Sequence, residues 1–153
     1  MICELNEILG LIEKKQRIMG LDVGTKTIGL ALSDITLTIS TPMETVFRKK
    51  FTPDAEKIMT HMKEQNGGGF IVGLPINMDG SEGPKCQSIR QFAKNLEKMT
   101  ELPITFWDER WSTSAVTRTL IEADTSRAKR KEVVDKMAAS YILQGALDRL
   151  KRP

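Results

Sequence analysis

The chain has 153 residues, 40% of them apolar and 28% charged, which describes one soluble domain able to bury a core without disulfides or a structural metal. No apolar run approaches the ~18–20 residues that span a bilayer, no secretory signal is expected at the acidic start Met1-Ile-Cys-Glu-Leu-Asn-Glu, and two cysteines (Cys3, Cys86) with one histidine (His61) exclude a zinc cluster or a disulfide framework. The net charge of +3 is uneven: ten Lys/Arg against five acids from Arg110 onward leave −2 over the first 109 residues, a basic last third compatible with a polyanionic partner or an ordinary solvated face.

Residues 1–16 read as a polar leader, a short amphipathic helix or loose arm with Leu5, Ile8, Leu9 and Ile12 on one side, ahead of a domain over 17–150. Strands at 18–23 and 28–32, joined tightly through Thr25-Lys26-Thr27, predict a hairpin. Residues 37–47 predict a third strand, which Pro42 assigns to an edge or a bulge. A helix follows, capped by Thr52, with Pro53 and Asp54 in its first turn and Ala55, Ile58, Met59 and Met62 as one stripe; Gly67-Gly68-Gly69 is expected to end it. Phe70-Ile71-Val72-Gly73-Leu74 reads as a strand covered on both faces.

The polar loop 77–83 leads to a second helix, with Ile89, Phe92, Ala93, Leu96 and Met99 along its stripe. Ile104-Thr105-Phe106-Trp107 is a further strand, then come a helix over 114–123, a basic loop over 127–131 and a last helix over 132–150. The order βββ-α-β-α-β-α-α predicts an α/β fold: a mixed five-stranded sheet, three antiparallel strands and then two parallel, flanked by helices.

Carboxylates carry the candidate chemistry, since a single histidine leaves little else. Asp22 sits in an apolar strand, where burial without a partner is costly. Asp108 and Glu109 follow a strand at once, and read equally well as strand-end surface groups. Asp135 opens the last helix, where the helix dipole alone would favour it. Ligands of open sheets gather at the carboxyl ends of parallel strands, and acids brought together there suit a hard divalent cation.

Gly24 and Thr25 in the first turn, and Asn77, Gly80 and Ser81 before the second long helix, are candidate phosphate-binding positions. Neither forms a Walker A or Gly-x-Gly-x-x-Gly motif. Trp107 and Trp111 are open to either base stacking or packing.

Four segments in order carry a resemblance: Gly20-Leu21-Asp22-Val23-Gly24-Thr25-Lys26-Thr27-Ile28-Gly29; Ile71-Val72-Gly73-Leu74-Pro75 with Asn77-Met78-Asp79-Gly80-Ser81; Asp108-Glu109-Arg110-Trp111-Ser112-Thr113; and Val134-Asp135-Lys136-Met137-Ala138-Ala139 with Ile142-Leu143-Gln144. Over about residues 17–150 the chain resembles the YqgF/RuvX family, described as pre-16S rRNA nucleases or Holliday junction resolvases. The resemblance implies an RNase H-like fold and Mg²⁺- or Mn²⁺-dependent cleavage of nucleic acid in the cytoplasm, with 5′-end processing of pre-16S rRNA as the cellular role.

Asp22, Asp135 and the Asp108–Glu109 pair match the family's acids, and Glu109 is preferred to Asp108 as metal ligand beside Asp22 and Asp135. Lys26, Arg110, Arg127, Lys129, Arg130 and Lys131 are the expected contacts to the nucleic-acid backbone. Resolution of branched DNA and non-catalytic binding to RNA or a ribosome precursor stay open as alternatives, as does a monomer or a weak dimer.

Overall fold

Six segments pair into one mixed sheet in the computed structural model, which describes residues 1–111 and 127–151. They are β1 (Ile2–Cys3), β2 (Arg17–Val23), β3 (Thr27–Ser33), β4 (Ser40–Phe47), β5 (Gly67–Leu74) and β6 (Ile104–Asp108), in the spatial order β1-β6-β5-β2-β3-β4. The β2–β3–β4 ribbon is antiparallel, whereas β5 runs parallel to β2, and β6 and β1 continue in that direction. The helices among the described residues are α1 (Leu5–Leu11), α2 (Phe51–Glu64), α3 (Pro84–Glu97) and α4 (Arg127–Leu150). The helix expected over 114–123 lies outside the described residues.

Period-two alternation divides each strand between two cores. Met19, Leu21 and Val23 of β2 join Ile28 and Leu30 of β3 and Phe70, Val72 and Leu74 of β5 beneath α2 and α3. The residues between them, Ile18, Ala31, Ile71 and Trp107, pack on Ala139, Ile142, Leu143 and Ala146 of α4. Trp107 is therefore a core residue, 3% exposed.

The sheet has six strands where five were expected. Ile2 and Cys3 pair with Ile104 and Thr105, and Ile8 of α1 is fully buried, so the segment read as a leader supplies an edge strand and a helix. A two-residue strand is too short for any periodicity to announce it. Gly67–Gly69 opens β5 instead of ending α2. The turn is made earlier by Asn66 in the left-handed region (φ 55°), a conformation asparagine tolerates.

Two helix starts also differ from expectation. Helix α2 begins at Phe51 with no side-chain cap, so Thr52 lies within the first turn, where Asp54 accepts the Lys49 backbone N–H at 3.1 Å and ties the preceding chain to the helix. Arg127–Lys131, expected as a loop, forms the first turns of α4. Pro42 lies on the edge strand β4, where the register against β3 slips between Leu30 and Ala31, as its missing donor requires.

Candidate functional site

Along β2, residues 18, 20 and 22 face α4, so the Asp22 side chain lies on that face at the carboxyl end of the strand. Its neighbours across the sheet are glycines. Gly29 of β3 is its direct partner, and Gly73 of β5 follows Val72, which pairs with Leu21. Each missing side chain admits a close approach, of the α4 backbone at Gly29 and of Ile142 and Glu109 at Gly73. A Cβ on Gly29 would lie 2.0 Å from the backbone oxygen of Asp135, and one on Gly73 would lie 3.2 Å from Oε2 of Glu109. The three carboxylate-bearing residues therefore meet one face of three adjacent strands.

Asp135 is anchored further. Thr27, 3% exposed and two residues before Gly29 on the same face, donates its hydroxyl to Oδ2 of Asp135. Glu109 reaches the α4 face because β6 ends at Asp108 and the chain tightens into a single 3-10 turn, Glu109–Trp111.

Asp108 goes the other way. It shares the face of Ile104 and Phe106, is 8% exposed, and is gripped by Arg110. Nη2 of that guanidinium donates to Oδ2 at 2.6 Å, and the Arg110 backbone N–H donates to Oδ1 at 2.9 Å. Burial alone would raise the Asp108 pKa, but these bonds and the nearby positive charge hold it below the ordinary carboxylate value. Arg110, expected to contact nucleic acid, is thus engaged with Asp108, and its Nη1 also reaches the Asn77 carbonyl at 3.4 Å.

The two candidate phosphate loops are closed on themselves. The Gly24 N–H donates to the Thr27 carbonyl at 2.8 Å, and Arg48 Nη1 donates to the Gly24 carbonyl at 2.6 Å. Asn77 donates its backbone N–H to the Ser81 carbonyl and its side-chain amide to Ser81 Oγ, while Gly80, at φ 89°, donates to the Asn77 carbonyl. Thr25 and Lys26 are exposed at the tip of the β2–β3 turn. Arg127, Lys129, Arg130 and Lys131 belong to the start of α4, the helix that also carries Asp135.

Thr27, expected in the turn, opens β3 instead, and Gly73 and Arg48 join the site's surroundings without having been singled out by the sequence. The available signal was glycine at alternate strand positions facing the same way as an Asp, which marks close backbone approach.

The donor set suits a hard divalent cation in kind, being carboxylate oxygen throughout. Among the described residues, no three His, Cys, Asp or Glu side chains are gathered closely enough to hold a metal ion. Carboxylates repel one another, and drawing three together takes a cation's own charge. No described helix is long and apolar enough to cross a membrane.

An antiparallel ribbon continued by parallel strands, with acids at their carboxyl ends, is an RNase H-like architecture. RuvC of Thermus thermophilus, solved in complex with a Holliday junction substrate, superposes with a TM-score of 0.53 at 11% identity, covering 90% of this chain and 97% of that one, a likeness of fold. The chain belongs to the RuvX family, described as Holliday junction resolvase, whose model matches residues 16–149. A relative from Paramagnetospirillum magneticum named "Putative pre-16S rRNA nuclease" is 60% identical over 142 residues, 93% of this chain and 92% of that protein. One of the same name from Roseobacter denitrificans is 56% identical over 147 residues, 95% of this chain and 90% of that protein. The chain is accordingly a nuclease, a hydrolase of phosphodiester bonds acting on nucleic acid.

Proposed function

We propose that this nuclease acts in 5′-end maturation of the 16S rRNA precursor, in the cytoplasm, with Asp22, Glu109 and Asp135 as its catalytic carboxylates. One observation carries the assignment: Asp22 stands between Gly29 and Gly73, over which Asp135 and Glu109 are seated on the same face. The substrate follows from the name shared by relatives that match nearly the whole chain.

Asp22, Glu109 and Asp135 would hold one or two Mg²⁺ or Mn²⁺ ions. A bound divalent cation supplies water activation and stabilisation of the leaving oxygen. The chain's own part is placement. Thr27 fixes Oδ2 of Asp135 and so orients that carboxylate. The Gly73 gap gives Glu109 its approach to β5. Asp108 serves the scaffold: held by Arg110, it ties the end of β6 to the loop at Asn77. Lys26, at an exposed turn two residues beyond Gly24, supplies positive charge for the backbone of the substrate.

The test is cleavage of labelled RNA carrying the 16S 5′ leader, beside a four-way DNA junction, in Mg²⁺ or Mn²⁺. RNA cutting that disappears in Asp22→Asn and in EDTA is the expected result. Cutting of the junction alone would replace rRNA with branched DNA as substrate. Binding of RNA without cutting would make the chain a non-catalytic module.

A further inference from the structure

The face that carries the acids extends one strand beyond them. Thr27 of β3 pairs with Phe47 of β4, and directly opposed residues of an antiparallel pair project to the same side. Phe47 therefore lies on the α4 face, one strand from the hydroxyl that holds Asp135. Its neighbour Val46 turns inward to the opposite core, yet Phe47 itself is 56% exposed.

Three exposed lysines lie close to this ring along the chain or across the neighbouring turn. The Arg48 backbone N–H donates to the Lys26 carbonyl at 2.9 Å and its guanidinium to the Gly24 carbonyl, so the β2–β3 turn and the chain leaving β4 are bonded side by side. This brings Lys26 together with Lys49 and Lys50, all three exposed. Among the described residues none of the three enters an ion pair. Of the acids close to Lys49 and Lys50 in the chain, Asp54 is 3% exposed and turned onto the Lys49 backbone N–H, and Glu44 is exposed and paired with His61. Arg48 is spent internally, on Gly24 and over the Phe92 ring at 5.5 Å.

A single exposed aromatic needs no explanation. An exposed aromatic on the sheet face of the proposed catalytic carboxylates, near exposed lysines that enter no ion pair among the described residues, is a different matter. Cations track phosphates and an aromatic face stacks a base, which is how proteins hold single strands without reading sequence. A base inside a duplex is already stacked and is not offered to such a ring.

We propose that Phe47, Lys26, Lys49 and Lys50 form a single-strand platform: Phe47 stacks an unpaired base beside the scissile position, and the three lysines hold the flanking phosphates. The proposal rests on the catalytic reading for its location, and gives that site a preference for an unpaired stretch of RNA over a duplex.

The experiment is equilibrium binding in EDTA, where cutting does not interfere, using a fluorescent single-stranded RNA of the 16S 5′ leader and the same sequence in a blunt duplex. Phe47→Ala is expected to weaken single-strand binding about 10-fold and to leave duplex binding unchanged. Phe47→Trp should restore it, and its added fluorescence should be quenched by the RNA. Lys49→Ala and Lys50→Ala should each flatten the dependence of log K on log salt by about 0.7. Thermal melts of each variant control for folding. Equal single-strand affinity of Phe47→Ala and wild type, an equal loss on both probes, or no single-strand binding by wild type would overturn the platform. Cleavage retained by Asp22→Asn would overturn the catalytic reading instead, and leaves this binding comparison intact.

Discussion

Asp22 and Gly29 stand opposite one another on β2 and β3, and the space above Gly29 is filled by the backbone carbonyl of Asp135. A strand residue without a side chain thus sets how closely the start of α4, with Asp135, approaches the strand beside Asp22. Gly29→Ala would place a Cβ 2.0 Å from that oxygen, and backbone cannot yield as a flexible side chain does. We expect a loss of stability of about 1–3 kcal/mol or more with a large fall in cleavage, read from urea unfolding and from turnover of the leader RNA. An unchanged urea midpoint would contradict this packing.

Thr27 tests the same neighbourhood more gently. Thr27→Val keeps the shape and removes the hydrogen bond to Asp135, whereas Thr27→Ser keeps the donor. Hydrogen bonds to charged groups contribute about 1.5–3 kcal/mol, so the valine variant should lose roughly 10-fold or more in cleavage while the serine variant retains most of it. Mn²⁺ affinity measured by calorimetry should weaken in the same order.

Adjacent Asp108 and Glu109 are expected to fail in different assays. Glu109→Gln should abolish cleavage with little change in stability. Asp108→Asn leaves the Arg110 fork facing a neutral amide and should lower stability more than chemistry. Gly73→Ala adds a third reading: its Cβ would meet Cδ1 and Cγ1 of the fully buried Ile142 at 2.6 and 3.1 Å, and Oε2 of Glu109 at 3.2 Å. We expect a stability loss of about 1–3 kcal/mol and a clear loss of activity. Full activity in Gly73→Ala would remove Glu109 from the site.

Acid should weaken the fold through carboxylates held low. Asp34 is brought from 3.8 to about 2, first by the Thr36 hydroxyl and then by the backbone N–H groups of Ile39 and Thr38, against a small opposing effect of burial. Its folded pKa lies below its unfolded one, so the unfolded chain binds protons first as pH falls. The stabilisation is complete above about pH 4 and disappears on descending to about 2. Asp108 acts in the same direction. Urea midpoints of wild type and Asp34→Asn should differ at pH 5 and converge toward pH 2; a constant difference would argue against the Asp34 turn.

Much of this was legible in the sequence because local rules suffice for it. Short apolar runs closed by turn residues located β2, β3 and β5, a helical stripe located α2 and α3, and Pro42 marked an edge or a bulge. Asp22 stood out as a carboxylate in an apolar strand, and motifs in order pointed to the RuvX family.

What only the tertiary structure decided were matters of facing and partnership. Asp108 and Glu109 are adjacent carboxylates whose facing the residues alone leave open; the end of β6 and the tight turn after it send one to the α3 side, under Arg110, and the other near Gly73. Ile2–Cys3 became a strand because β6 offered it an open edge, and Phe47 became a neighbour of the site because its register matched it with Thr27. Composition and periodicity report a residue's own preference along the chain. Which face it meets, and which distant group answers its charge, is set by pairings separated by up to a hundred residues or more, and those exist only once the sheet has closed.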